Sequence, residues 1–176
     1  AKTGQDTTKK SEWYSSLLDR CWRYGDTWRD QHFKICRVWQ TRIEAHSWVH
    51  DQRLLCAYRI NWKAHPGSQV TNEITSSTLF AVEKGKSEKN PSWSVEVPRP
   101  FQIEAMVLAG DTLFVGGPMS WNERQGEGFL WTFDVKNGQK LREIKLKAPP
   151  VADGMAVANG KLYVSTQDGK VLCFGN

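Results

Sequence analysis

No apolar run in this chain approaches the roughly 18–20 residues that a bilayer crossing needs. The longest, around Phe129-Leu130-Trp131-Thr132-Phe133, is the size of a strand. A membrane-spanning helix is therefore not expected. No basic-then-apolar leader opens the sequence, so any signal peptide is expected to have been removed already. Cysteine is scarce, with four at Cys21, Cys36, Cys56 and Cys173. None forms a C-x-x-C pair or a C-x-x-C-H haem attachment. An even count permits disulfides in an oxidising compartment, with Cys21–Cys36 as the pair to consider. The simpler expectation is that all four are small apolar core residues.

Familiar catalytic signatures are missing as well. There is no G-x-S-x-G elbow, P-loop or dinucleotide fingerprint. His46 and His50 stand four apart, the spacing of a helical zinc pair, but Ser47, Trp48 and Val49 lie between them where zinc hydrolases need a glutamate. On a strand the two would be about 13 Å apart. Ordinary surface histidines are the expectation. No catalytic, cofactor-binding or metal-binding residue is assigned, and no cofactor is expected.

Tryptophan and positive charge are abundant, and both are concentrated. The 176 residues hold nine Trp and carry a net charge of +5. Residues 1–63 contain 12 Lys or Arg against 7 Asp or Glu, whereas residues 64–176 contain 12 of each. Six Trp (13, 22, 28, 39, 48 and 62) also lie in that first third. The chain divides into a polar N-terminal arm at 1–12, a Trp-rich basic part at 13–77 and a remainder at 78–176. Within 13–77, residues 33–39 partly alternate apolar and polar as a strand does, Trp48-Val49 and 54–60 read as further strands, and 63–77 reads as a loop around Pro66-Gly67.

From Thr78 onward the pattern is plain. Strand-like runs at 78–82, 93–97, 105–109, 113–115, 128–135, 141–146, 155–158, 162–165 and 171–174 are separated by turn signals. Gly110-Asp111, Asn137-Gly138, Asn159-Gly160 and Asp168-Gly169 mark hairpins; type I′ turns require positive φ at both central residues, which such pairs tolerate. No long helical pattern intervenes, so an all-β meander is expected. The glycines of 116–117 and of 126 and 128 bracket a loop between two strands. Gly110-Asp111-Thr112-Leu113-Phe114-Val115 echoes Gly160-Lys161-Leu162-Tyr163-Val164, and Phe80 to Gly85 echoes Phe133 to Gly138. A unit of four strands recurring every 40–50 residues or so is the signature of a propeller blade. A β-sandwich is the alternative.

Two stretches carry a family resemblance. One is Ala105-Met106-Val107-Leu108-Ala109 with Leu113-Phe114-Val115-Gly116-Gly117-Pro118. The other runs from Pro149-Pro150-Val151 through Asp153-Gly154-Met155-Ala156 and Gly160-Lys161-Leu162-Tyr163-Val164-Ser165-Thr166 to Asp168-Gly169-Lys170-Val171-Leu172-Cys173-Phe174-Gly175. Residues 78–176 thereby resemble the C-terminal part of bacterial PQQ-like (pyrroloquinoline-quinone-like) β-propeller repeat proteins. The family's blade motif, A-x-D-x-x-T-G-x-x-x-W, is matched by Asp134, Asn137 and Gly138, with Thr132 at its Ala position and Arg142 at its Trp position. An earlier copy has Glu83 for the Asp and reaches Trp93 after an insertion. The resemblance implies blade-motif packing roles for Trp93, Trp131, Asp134, Gly138, Asp168 and Gly169, and an exported protein, periplasmic or extracellular.

At roughly 45 residues per blade the chain holds about three to four blades, a partial propeller. Open blades expose strand edges, which proteins avoid. Another polypeptide or further copies of this chain are therefore expected to complete it. The expected role is a non-catalytic scaffold or interaction module. The alternatives are a fragment of a propeller enzyme (a quinone-type dehydrogenase or a polysaccharide-processing protein) and a glycan-binding module. Trp22, Tyr24, Trp28, Arg29, Trp39 and Trp121 are the candidate interface or ligand-stacking residues, since Trp, Tyr and Arg anchor protein interfaces and an indole stacks on a sugar. Nucleic acid is disfavoured by the modest charge.

Overall fold

The computed structural model describes residues 34–38, 41–64, 72–120 and 126–175. They form an all-β fold of thirteen strands: β1 (Lys34–Val38), β2 (Thr41–Ala45), β3 (Ser47–His50), β4 (Leu54–Ala64), β5 (Asn72–Glu83), β6 (Trp93–Glu96), β7 (Ala105–Ala109), β8 (Thr112–Pro118), β9 (Gly128–Asp134), β10 (Lys140–Leu146), β11 (Pro150–Ala158), β12 (Lys161–Thr166) and β13 (Val171–Phe174). Among the described residues no helix is long and apolar enough to cross a membrane.

Three antiparallel sheets follow one another along the chain. The first is β3-β4-β5-β6, the second β7-β8-β9-β10 in sequential order, and the third β11-β12-β13. A separate hairpin, β1-β2, precedes them. No sheet closes on itself among the described residues.

Side-chain alternation sorts each sheet into two faces. Cys56, Tyr58, Ile60, Leu79 and Ala81 of the first sheet meet Met106, Leu113, Val115, Phe129, Trp131 and Phe133 of the second in one core. The opposite face of the second sheet, with Leu130, Val107, Phe114 and Ile144, packs on Leu162, Val164, Leu172 and Phe174 of the third. The second sheet is thus buried on both faces, which is why the central run of β9 is apolar without alternation. The outer face of the first sheet buries Leu55, Ala57, Phe80 and Val82 with Ala45 of β2, and Trp48 packs against them. The first strands of the sheets lie side by side: β7 contacts β3 on one flank and β11 on the other.

The loop expected over 63–77 is corrected at both ends. β4 runs on to Ala64 and β5 begins at Asn72, with Trp62↔Ile74, Lys63↔Glu73 and Ala64↔Asn72 in register after a bulge at Asn61/Trp62. Ladder pairing outweighs the weak strand propensity of Asn72, Glu73, Ser76 and Ser77 there. Position 77/78, drawn between the two compositional parts, lies inside β5.

The four hairpin turns differ in kind. Asn159-Gly160 has positive φ at both residues (51° and 72°), as a type I′ turn needs. At Gly110-Asp111 only Gly110 is positive. Asp168-Gly169 closes a three-residue loop instead: the Gly169 N–H donates to the Thr166 carbonyl (3.0 Å) and the Thr166 N–H to the Lys170 carbonyl (2.8 Å). Asn137-Gly138 belongs to a longer loop in which the Asp134 N–H reaches the Gln139 carbonyl and the Gly138 N–H the Asp134 carbonyl. The dipeptides marked the turns; the flanking ladder set their length.

His46 is buried rather than on the surface. Its Nδ1 accepts from the Ile60 N–H at 3.3 Å, where β4 continues past the end of β3. Its i+4 neighbour His50 is exposed on β3. The core expectation for cysteine holds for Cys56 and fails for Cys173, which is exposed.

Burial pushes the Cys56 thiol up to about 12, with the Asp51 charge adding to the shift. Burial also raises the Tyr58 phenol, against hydrogen bonds from the Ser77 side chain and the Ile103 backbone. Both groups stay neutral in the fold and ionise at lower pH once exposed. The stability they contribute is complete below the ordinary thiol value of 9.0 and declines as pH rises toward 12. Urea unfolding across that window is expected to show falling stability, and Cys56→Ala a shallower fall. Equal slopes for the two proteins would remove Cys56 as a cause.

Candidate interaction surface

The third sheet has one covered face and one bare face. Leu162 and Val164 of β12 are buried against the second sheet, with Met155, Leu172 and Phe174 half-buried beside them. The register Ala156↔Tyr163↔Cys173 and Ser165↔Val171 places the intervening residues on the other side. That outer face consists of Ala156, Ala158, Tyr163, Ser165, Val171 and Cys173, with Lys161 at its rim. Ala156, Ala158 and Cys173 are exposed, Val171 is 66% exposed, and Tyr163 and Ser165 are half-buried.

Local chemistry holds this sheet in shape. The Asn159-Gly160 turn fixes the β11–β12 register. The loop after β12 is fastened by Asp168: the Thr166 hydroxyl donates to its Oδ1 (2.6 Å) and Lys170 Nζ sits 2.5 Å from its Oδ2. The Lys170 side chain, then the Thr166 hydroxyl, hold the Asp168 carboxyl below the usual aspartate range. β11 departs from its ladder between Pro150 and Met155, where Asp153 takes a positive φ of 54° and its N–H donates to the Glu104 carbonyl at 3.1 Å. This contact ties the third sheet to the segment leading into β7.

The outer edge of the second sheet contrasts with β13. β10 presents Lys140, Arg142, Glu143 and Lys145 to solvent. Such charges keep an exposed edge from pairing with another chain. β13 (Val171-Leu172-Cys173-Phe174) carries no charge along its whole length.

Trp22, Tyr24, Trp28, Arg29, Trp39 and Trp121 lie outside the described residues. The blade-motif positions are described. Trp93, on β6 of the first sheet, is buried; its indole N–H donates to the Val135 carbonyl at 2.6 Å, and its ring lies on Gly138. Trp131 is central to the core between the first and second sheets. Its ring centroid is 4.8 Å from Phe101 and 4.3 Å from Phe129, with Lys140 Nζ 4.6 Å from its centroid. Its buried Nε1 has no hydrogen-bond partner. Asp134 and Asp168 shape turns, Asp134 accepting from the Lys136 N–H at 2.7 Å. Gly138 and Gly169 supply positive φ at 72° and 80°. The structure therefore brings Trp93 and Gly138 together across two sheets, while Asp168 and Gly169 stand apart in the third.

Sequence reasoning missed the outer face of the third sheet. Its alternation was readable from Leu162 to Thr166, but nothing in the sequence marks a face as uncovered. Among the described residues no group of three or more His, Cys, Asp or Glu is placed to hold a metal ion.

No family model matches the chain, and no curated protein matches it. Among solved structures, it is similar to one described as the crystal structure of the computationally designed Ika4 protein, at 12% identity and a TM-score of 0.44. That match covers 73% of this chain and 88% of the other.

Proposed function

We propose that the chain is part of a β-propeller that acts as a non-catalytic scaffold and interaction module in a larger, exported assembly. The observation that carries this reading is the succession of antiparallel meander sheets whose first strands, β3, β7 and β11, lie side by side. Blades around a central axis are arranged in that way. Equivalent residues support the reading. Leu113 and Leu162 are each the second residue of the second strand in their sheets. Gly85 and Gly138 each follow a third strand with positive φ.

The bare third sheet supports the interaction role, because a propeller leaves no blade face uncovered. The test is the mass of the native particle isolated from its source, by light scattering on a sizing column, with denaturing mass spectrometry of its components. A particle well above 20.1 kDa is expected. A native monomer of that mass would overturn the reading.

A further inference from the structure

The sequence holds two Asn-Gly pairs, at 137–138 and at 159–160. Glycine after asparagine matters chemically as well as conformationally. Without a Cβ, its nitrogen is open to the preceding side chain and its backbone turns freely. The fold treats the two pairs in opposite ways.

Asn137-Gly138 is held shut. The Gly138 N–H donates to the Asp134 carbonyl at 2.8 Å, and Asn137 Oδ1 accepts from the Gln139 N–H at 2.8 Å. Gly138 is also buried under the Trp93 ring. The attacking nitrogen and the side-chain amide are thus both engaged, and the ring opposes rotation of the peptide between them.

Asn159-Gly160 is open. Both residues are exposed, and a Cβ on Gly160 would meet nothing within 4 Å. The Ala158↔Lys161 pair closes the two-residue turn, so the Gly160 N–H lies outside the ladder. Asn159 already has a positive φ of 51°. A five-membered imide between its side chain and the next nitrogen needs a ψ close to that of the first central residue of a type II′ turn, about −120°. Types I′ and II′ share positive φ at that residue. They differ by a flip of the central peptide, with the second residue passing to negative φ, which glycine does freely. The turn therefore lies one peptide flip from reactive geometry.

We propose that Asn159 is a site of spontaneous covalent modification, in which the Gly160 nitrogen attacks the Asn159 side-chain amide. The bond from the Gly160 nitrogen to Cγ forms and the Cγ–Nδ2 bond breaks. Nδ2 leaves as ammonia, taking the proton of the Gly160 N–H. Water then opens the cyclic imide. Opening at Cγ leaves an aspartate; opening at the main-chain carbonyl leaves an isoaspartate, with the chain running through the former side chain. The net change replaces an amide NH2 with a hydroxyl that ionises at neutral pH, and water is the sole co-reactant. Either product sets a carboxylate beside exposed Lys161. The isoaspartate also lengthens the turn by one backbone carbon and loosens the Ala158↔Lys161 pairing. The inference stands apart from the propeller reading and does not depend on it.

The test is incubation of the folded chain in warm, mildly alkaline buffer, followed by peptide maps in the mass spectrometer over time. The mass gain is expected in the peptide bearing Asn159. It should appear at least about tenfold faster there than at Asn137, where two hydrogen bonds must break first. An isoaspartate-specific carboxyl methyltransferase is expected to label the same peptide. In urea the two rates should come together, because the protection of Asn137 is structural. Gly160→Ala places a methyl beside the attacking nitrogen and is expected to slow the change at Asn159 at least about tenfold while leaving Asn137 as it was. A folded chain in which Asn159 stays intact, or reacts no faster than Asn137, overturns the proposal. So does a preference for Asn159 that survives unchanged in urea, since the fold would then have no part in it.

Discussion

Alanine at position 117 is expected to destabilise the protein by about 3 kcal/mol or more, although it adds a single methyl group. Gly117 lies on β8 opposite Phe129. The segment between β6 and β7 crosses directly over it. A Cβ at 117 would overlap the Gln102 carbonyl oxygen and lie 3.0 Å from the Gln102 carbonyl carbon and 3.3 Å from the Glu104 nitrogen. All three are backbone atoms, so no rotamer change relieves the clash. The crossing segment is also tethered. The Val97 N–H donates to Ser77, the Glu104 N–H to Gly116, and the Glu104 carbonyl accepts from Asp153 of the third sheet. Moving it would loosen the junction of all three sheets.

Gly160 provides the control. It has positive φ, but a Cβ at this position would meet nothing within 4 Å. Alanine there is expected to cost only the left-handed backbone penalty, about 1–2 kcal/mol. Urea denaturation of both variants checks the order. A smaller loss at Gly117 than at Gly160 would show that the crossing segment yields.

How much of this was legible beforehand depended on the range of the interaction. The Asn159-Gly160 turn was readable because its requirement for positive φ is local. So were the alternating strands from Thr78 onward. The run Phe129 to Phe133 was legible as a strand, but its two-sided burial follows from sheets that precede and follow it by dozens of residues. The continuation of the β4–β5 ladder past residue 62 was not legible, because Asn72, Glu73, Ser76 and Ser77 carry weak strand preferences and gain their conformation from pairing. Gly116 and Gly117 read as flanks of a loop; they are strand residues whose missing Cβ admits other backbone or side-chain atoms. The bare face of the third sheet was hidden for a related reason: the alternation of Tyr163, Ser165 and their neighbours shows that they share a side, but whether anything covers that side is a tertiary fact.

Trp93→Ala is expected to be the most damaging substitution at the junction of the first and second sheets. The indole is 7% exposed, and its burial accounts for about 3–5 kcal/mol by comparison with other large-to-small changes. Its N–H also satisfies the Val135 carbonyl at 2.6 Å. Trp93→Phe separates the two contributions. It keeps most of the apolar contact and loses the hydrogen bond, for an expected cost of about 1–3 kcal/mol. Gly138 is the other half of the arrangement. A Cβ there would fall 2.6 Å from Trp93 Cε3 and 2.7 Å from Cδ2, on a backbone already at φ 72°. Gly138→Ala alone therefore incurs both the clash and the left-handed conformation. In the Trp93→Ala background the clash vanishes and only the backbone cost of about 1–2 kcal/mol remains. The two changes should consequently be less than additive, with a coupling of about 1–3 kcal/mol in a double-mutant cycle followed by urea unfolding. Strict additivity would mean that the Trp93 ring does not rest on Gly138, and the two sheets would have to be held together chiefly by the aromatic cluster around Trp131.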